Sequence, residues 1–320
     1  MQREGSPWRG LGVVFTKELA DHLGSARMRV LEWLIILTAA ASLYGVFQAI
    51  HNATPDDAFI FLRLFTMAES PMPSFSALLS FMIPLVAIGL GFDAINAEYN
   101  RRTMSRLLSQ PIYRDALLVG KFLAGLVTIA ISLLALWLLI IGAGLVLMGV
   151  PPSGEEVARS LLFLVLALAY AGIWLAVALL CSVCFRSAAT SALVCLALWL
   201  FLTLLWPMLV PALAQAFSTP DPISAMLGQP SLDTLQWQQA LGRVSPARLF
   251  EEGILGLLSP ETRTLGPVFM SQLRGAVIGS PLPLAESLSI VWPQAVGLIA
   301  GVVVLFTAGY VVFQRQEVRA

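Results

Sequence analysis

The chain has 320 residues, of which 58% are hydrophobic and only 12% charged, with a mean hydropathy of +0.83. Soluble domains carry roughly twice that charged fraction, so the composition excludes an ordinary water-soluble fold. Basic and acidic side chains balance to a net charge of +0, which leaves no electrostatic footprint for a nucleic-acid partner.

From the N-terminus, Leu11, Phe15, Leu19, Leu23, Ala26 and Val30 form a near i, i+4 stripe flanked by Lys17, Asp21, His22 and Ser25. That pattern predicts an amphipathic helix lying along the membrane interface. Apolar runs long enough to cross a hydrocarbon core of about 30 Å as helices follow. The expected spans are Leu31–Ile50, Phe75–Gly91, Phe122–Met148, Leu161–Cys181, Ala189–Leu209 and Ser289–Phe313. The first run begins too late, behind a charged segment, to read as a cleaved signal peptide. Between the first two spans, Pro55, Pro71 and Pro73 punctuate a short loop whose Phe59, Phe61, Leu62, Leu64 and Phe65 are expected to rest on the bundle.

Residues 92–121 form a charged island between apolar runs, holding Asp93, Glu98, Arg101, Arg102, Arg106, Arg114 and Lys121. Further along, Val150 to Ala158 is a brief Pro-containing loop, and Cys184 to Ala188 is a shorter turn carrying Arg186. The stretch 210–288 is more polar than the spans. Ser245-Pro246 and Ser259-Pro260 offer helix starts, and Ser231 offers a third cap. The expected organisation is residues 1–209 for the N-terminal helix, five spans and the island, 210–288 for a helical extracytoplasmic subdomain, and 289–320 for the sixth span and tail. Lys and Arg concentrate in the N-terminal segment, the island, the turn at Arg186 and the tail, whereas the opposite loops hold Arg63 and Arg159. The positive-inside rule then makes both termini cytoplasmic. The fold class expected is an all-α polytopic protein of about six transmembrane helices in the cell (inner) membrane.

Little catalytic chemistry is legible. Gly120-Lys121 is preceded by Asp115 where a phosphate-binding loop needs its first Gly, and Phe122 follows, so ATP hydrolysis requires another chain. The spans lack the buried carboxylates and histidines of ion-coupled carriers. His22 and His51 are isolated, and Cys181-x-x-Cys184 has no second ligand pair. Glu251 and Glu252 diverge by about 100° on a helix and read as a solvated face. No catalytic, cofactor-binding or metal residue is assigned. Gly142-Ala143-Gly144 and Gly297/Gly301 permit close helix approach and favour a packed dimer. The tryptophans read as interfacial anchors or bundle filler.

The island carries a family resemblance. Glu98, Thr103, Leu107-Leu108, Ser109-Gln110-Pro111, Arg114 and Gly120-Lys121, with Lys17-Glu18 before the first span, resemble the ABC-2 type permeases, the transmembrane subunits of ABC exporters. One position departs: Arg102 stands where the family usually has Gly before the Thr. Val244 to Glu251 and Leu258 to Gly266 are similar to the branch that includes the permease of the nitrous oxide reductase maturation system. The resemblance implies a non-catalytic subunit that pairs with a second permease copy, as a homodimer or with a related chain. Two ABC ATPase subunits would dock below and carry the ATP and Mg. Residues 93–114 would be the coupling helix, with Glu98, Tyr99, Arg102, Thr103, Arg106, Leu107, Ser109, Pro111 and Arg114 on the docking surface and Arg186 as a second contact. Tyr99, Met104 and Leu107 would anchor the partner while the arginines set register; membrane lipid headgroups would share Arg101 and Arg114. The function expected is ATP-driven export. The alternative is a mechanotransmitting scaffold whose extracytoplasmic part acts on an external delivery or maturation partner without substrate crossing.

Overall fold

In the computed structural model, residues 8, 10–51, 59–68, 73–100, 113–149, 151–219, 230–265 and 281–316 are described. Among them the chain is helical throughout: α1 Leu11–Gly24, α2 Ala26–His51, α3 Ile60–Thr66, α4 Phe75–Gly91, α5 Asn96–Asn100, α6 Arg114–Met148, α7 Gly154–Cys184, α8 Ala188–Leu200, a π-helical turn Phe201–Leu205, α9 Trp206–Phe217, α10 Leu232–Gly242, α11 Pro246–Leu258 and α12 Leu284–Arg315. Five stretches among the described residues are long and apolar enough to cross a membrane: Phe75–Asn100, Arg114–Val146, Gly154–Cys184, Ala188–Phe217 and Leu284–Arg315. The expected first span lies within α2, whose 26 residues are continuous helix.

Several boundaries differ from the sequence reading: the helix expected from Leu11 through Val30 ends at Gly24, and α7 begins at Gly154 inside the expected Val150–Ala158 loop. Arg114 to Lys121, read as loop, forms the first turns of α6, because its polar groups find partners on α1 and α12. Span five continues past Leu209 to Phe217 as α8, the π turn and α9. Pro207 cannot donate to the carbonyl of Thr203, and the ladder widens at that point rather than breaking.

The bundle is built around α7, which packs against α4, α6, α8, α11 and α12. Its Phe163, Tyr170 and Trp174 are almost wholly enclosed. Phe250 of α11 stacks on Tyr170 at 4.6 Å between centroids and on Phe163 at 6.0 Å. The middle of the 210–288 stretch therefore packs back into the bundle. Ser231 caps α10 by accepting from the Thr234 amide at 3.1 Å. Ser245 precedes Pro246 at the start of α11, but its hydroxyl donates to the Leu202 carbonyl instead of capping. Ser259-Pro260 starts no helix; Ser259 ends α11.

Apolar side chains gain little by leaving lipid for one another, so close backbone approach matters more than burial itself. A Cβ on Gly144 would lie 2.6 Å from Leu64 Cδ1, and one on Gly301 3.1 Å from Ile173 Cδ1. Gly144 and Gly301 thus serve packing within the chain, whereas a Cβ on Gly142 would meet nothing within 4 Å. Glu252 corrects the sequence reading of a solvated face: it is 2% exposed, while Glu251 beside it faces outward. The tryptophans divide, Trp174 and Trp199 filling the core and Trp33 and Trp292 standing exposed. All three cysteines are free, with Cys184 exposed.

Candidate functional site

One end of the bundle gathers α1, the loop from Phe92 to Asn100, the start of α6, the α7–α8 turn and the end of α12. The loop is bolted to the turn by polar side chains. Ser182 Oγ, near the end of α7, accepts from the Ile95 and Asn96 amides at 2.9 and 3.2 Å. Asn96, 1% exposed, donates through Nδ2 to the Phe92 and Phe185 carbonyls. Asn100 Nδ2 donates to the Arg186 carbonyl at 3.0 Å. The two expected contact regions are thus physically joined. They border a cavity of about 680 Å³ lined by Asn96, Tyr99, Asn100, Ser182, Arg186 and Gln316.

The start of α6 is tied to the end of α12. Asp115 Oδ1 accepts from Tyr310 Oη at 3.0 Å and from Gln314 Nε2. Arg114 Nη2 donates to the Gln316 carbonyl at 2.9 Å while its guanidinium lies 5.1 Å from the Phe313 ring centroid. Gln316 Nε2 in turn donates to the Val183 carbonyl at 2.8 Å, closing the circuit back to α7.

A buried charge cluster joins α1 to the same loop. Lys121 Nζ, 5% exposed as a residue, lies 2.8 Å from Glu18 Oε1 and 3.6 Å from Glu98 Oε1. Lys17 adds a contact to Glu18 at 3.1 Å, and Arg27 pairs with Asp93 at 2.9 Å. Burial is the largest influence on Glu18 and raises its carboxyl pKa, but Lys121 and Lys17 outweigh it and hold the group below the ordinary carboxylate value. Gly120 makes the approach possible: a Cβ there would sit 2.8 Å from Val14 Cγ1 of α1. The Gly-Lys and Lys-Glu pairs of the sequence are therefore two halves of one contact.

Of the residues expected at the site, Glu98, Tyr99, Arg114 and Arg186 fall at this end, with Arg186 exposed and Glu98 and Tyr99 half-buried. Arg102, Thr103, Arg106, Leu107, Ser109 and Pro111 lie outside the described residues. Sequence reasoning did not assign Asn96, Asn100, Ser182, Asp115 or Gln316. A signal existed for the first two, an Asn pair at i, i+4, which places both on one helical face. Among the described residues no cluster of His, Cys, Asp and Glu is suited to a metal.

The arrangement is one of mechanical joints: side chains that fix a short loop to four elements. A model for proteins described as "ABC-2 family transporter protein" matches residues 13–318. The chain is 32% identical over 118 residues to "Probable ABC transporter permease protein NosY" of Pseudomonas aeruginosa, covering 37% of this chain and 39% of that protein. It is 28% identical over 147 residues to the protein of the same name from Stutzerimonas stutzeri, covering 46% and 48%. The matched stretches thus span less than half of either relative. The family match is far longer, running from α1 past the end of α12 and taking in both halves of the Glu18–Lys121 contact, and on it the chain belongs to the ABC-2 family of transporter proteins, as a multi-pass membrane protein.

Proposed function

We propose that this chain is the membrane-spanning, non-catalytic subunit of an ATP-driven exporter, with residues 93–114 receiving the stroke of a separate ATPase. The observation that carries the reading is the bolting of the Phe92–Asn100 loop to the Arg186 turn, α1 and α6. A displacement of that loop is passed to several helices at once because each joint is polar and those at Ser182 and Lys121 are also buried. The exposed Arg186 and half-buried Tyr99 offer a partner charge and apolar contact beside the same cavity. Two ATPases carrying ATP and Mg would serve a pair of permeases. With α2 as the first of six spans, the positive-inside rule makes this end and both termini cytoplasmic and the 210–288 stretch extracytoplasmic.

A second reading keeps the ATPase and removes the transported substrate, the chain passing force to an external partner such as a metalloenzyme maturation factor. A buried arginine favours it. Arg159, 0% exposed, donates to the Leu257 carbonyl and Ser287 Oγ, each at 3.0 Å, and to the Leu282 carbonyl, while pairing with Glu155 at 2.9 Å. It rigidly joins α7 to the end of α11 and the start of α12, so motion of the spans would reach the outer stretch.

Affinity purification of the full chain from mild detergent tests the reading. Recovery of an ABC ATPase in equal amount, lost in Arg102→Glu/Arg106→Glu while the permease remains folded, is expected. Recovery of the chain alone, or equal recovery with the double variant, would overturn it.

A further inference from the structure

An unassigned polar space lies at the opposite end of the bundle from the Phe92–Asn100 loop. A cavity of about 560 Å³ opens between the start of α4, the π turn and α11, within the range that small ligands occupy. Ser74, Ser76, Ser80, Thr203 and Ser259 line it together with Arg248 and Glu251. The Thr203 hydroxyl is enclosed and has no hydrogen-bond partner. It sits in the π turn, a distortion that recurs at functional sites. A buried hydroxyl without a partner costs free energy unless something fills the role.

The charges say what that something is. Arg248 and Glu251 are separated by 3.9 Å with side chains 53% and 52% exposed, whereas Arg243 approaches Glu252 of the same helix to 2.9 Å. The pair is loose and turned toward the cavity, so a ligand's own anion and cation can exchange with it. Glu252 lies 3.4 Å from Arg248 as well, which offsets the guanidinium and disfavours a purely anionic guest. The rim is apolar: Phe81 is 41% and Leu255 48% exposed, and Leu204 and Leu205, which follow Thr203 in span five, are exposed as well. Phe81 packs edge-on against Trp199, 4.8 Å between centroids, at that seam.

We infer that this cavity binds the headgroup of a zwitterionic phospholipid, its phosphate toward Arg248, its ammonium toward Glu251, and its chains along Phe81, Leu255 and the exposed leucines. The hydroxyls of Thr203 and Ser80 complete the hydrogen bonding of the headgroup oxygens. This goes beyond the coupling reading and is independent of which ATPase docks below.

Native mass spectrometry of the detergent-purified full chain, titrated with phosphatidylethanolamine or phosphatidylglycerol, tests it. One phosphatidylethanolamine per chain is expected to be retained at least fivefold more strongly than phosphatidylglycerol. Arg248→Gln and Glu251→Gln should each abolish that preference, and Thr203→Val should weaken retention several-fold. Thr203→Val exchanges near-isosteric side chains and keeps the test valid should a charge variant misfold. Free phosphoethanolamine at millimolar concentration should not displace the lipid; displacement would overturn the amphiphile assignment in favour of a soluble zwitterion. Equal retention of both lipids, unaffected by the variants, would overturn the site. Because ATPase co-purification is read on the same samples, loss of the lipid with the ATPase retained separates this inference from the coupling proposal.

Discussion

Lys121 is a cation held away from water between carboxylates that belong to two other elements, and its removal has a definite sign. Lys121→Met leaves Glu18 buried with only Lys17 as its close cation, a change that costs about 3 kcal/mol when a buried pair loses one partner. The thermal midpoint in detergent should fall accordingly. Adding Glu18→Met should restore most of the loss, since an apolar pair of similar volume replaces a buried ion pair at little cost. Failure of the double variant to recover would mean that Glu98 or Lys17, not the Glu18 contact, carries the effect. The pH response has a different origin. Glu18 is held below its ordinary 4.5, so its stabilisation is present above that value and is lost only as pH falls through the lowered one. His22 is held below 6.5, chiefly by burial, with Lys121 and Arg27 adding to this and Glu18 and Asp21 opposing it. Its neutral form favours the folded state, so stability present above 6.5 declines as pH falls toward its lowered value. Amide exchange across α1, corrected for the intrinsic rate, should therefore rise between pH 7.5 and 5.5, and His22→Gln should flatten that rise. An unchanged slope in the variant would exclude His22. Each half of this cluster was legible in the sequence as a short motif. Their contact was not, because Glu18 and Lys121 stand 103 positions apart and only the packing of α1 on α6 joins them.

At the scale of elements, α11 shows where sequence patterns mislead. Two adjacent glutamates in a polar stretch read as a solvated face, yet the helix turns one of them inward to Arg243 and Gln294, each 2.9 Å away. Gln294 of α12 is 2% exposed and, with Arg243, makes the burial of Glu252 tolerable. The Ser245-Pro246 start of α11 was legible in the sequence, but its inward face depends on a helix distant in sequence. The glycines of the same helix set its depth. A Cβ on Gly253 would come 2.3 Å from Leu166 Cδ2, and one on Gly256 2.4 Å from Val291 Cγ2. Gly253→Val should destabilise the protein by about 1–3 kcal/mol through overpacking, read as a lower thermal midpoint. Gly12→Ala, with nothing within 4 Å of the added methyl, should be neutral or stabilise by up to about 1 kcal/mol. Equal effects at the two positions would show that helix propensity, not the close approach, governs α11. The same packing redirects any test of the 210–288 stretch. Removing 231–258 would take Phe250 out of the core, whereas Leu232 and Trp237 of α10 are exposed and can be changed without that loss.

For the molecule as a whole, α7 links the two ends. Ser182 holds the Phe92–Asn100 loop near the last turn of α7, and Arg159 holds the α11–α12 region near its second. They stand 23 positions apart on unbroken helix, about 35 Å at 1.5 Å per residue, packed against α4, α6, α8, α11 and α12. Such a rod transmits displacement only if both joints are intact, and the joints fail differently. Ser182→Val removes the acceptor for two buried amides and loosens the Phe92–Asn100 loop. It should weaken ATPase co-purification and lower nucleotide-stimulated export or maturation together. Arg159→Met leaves that loop untouched while freeing the Leu257 and Leu282 carbonyls. ATPase recovery should stay normal and the activity at the far end should fall at least tenfold. The comparison requires each variant to be matched for thermal midpoint, with an exposed change such as Leu193→Ser on α8 as a control for handling. If Arg159→Met at matched stability leaves the far-end activity intact, the stroke does not travel through α7 and the α11–α12 region is a passive cap. If it also releases the ATPase, the two ends are a single cooperative unit rather than two joints on one rod.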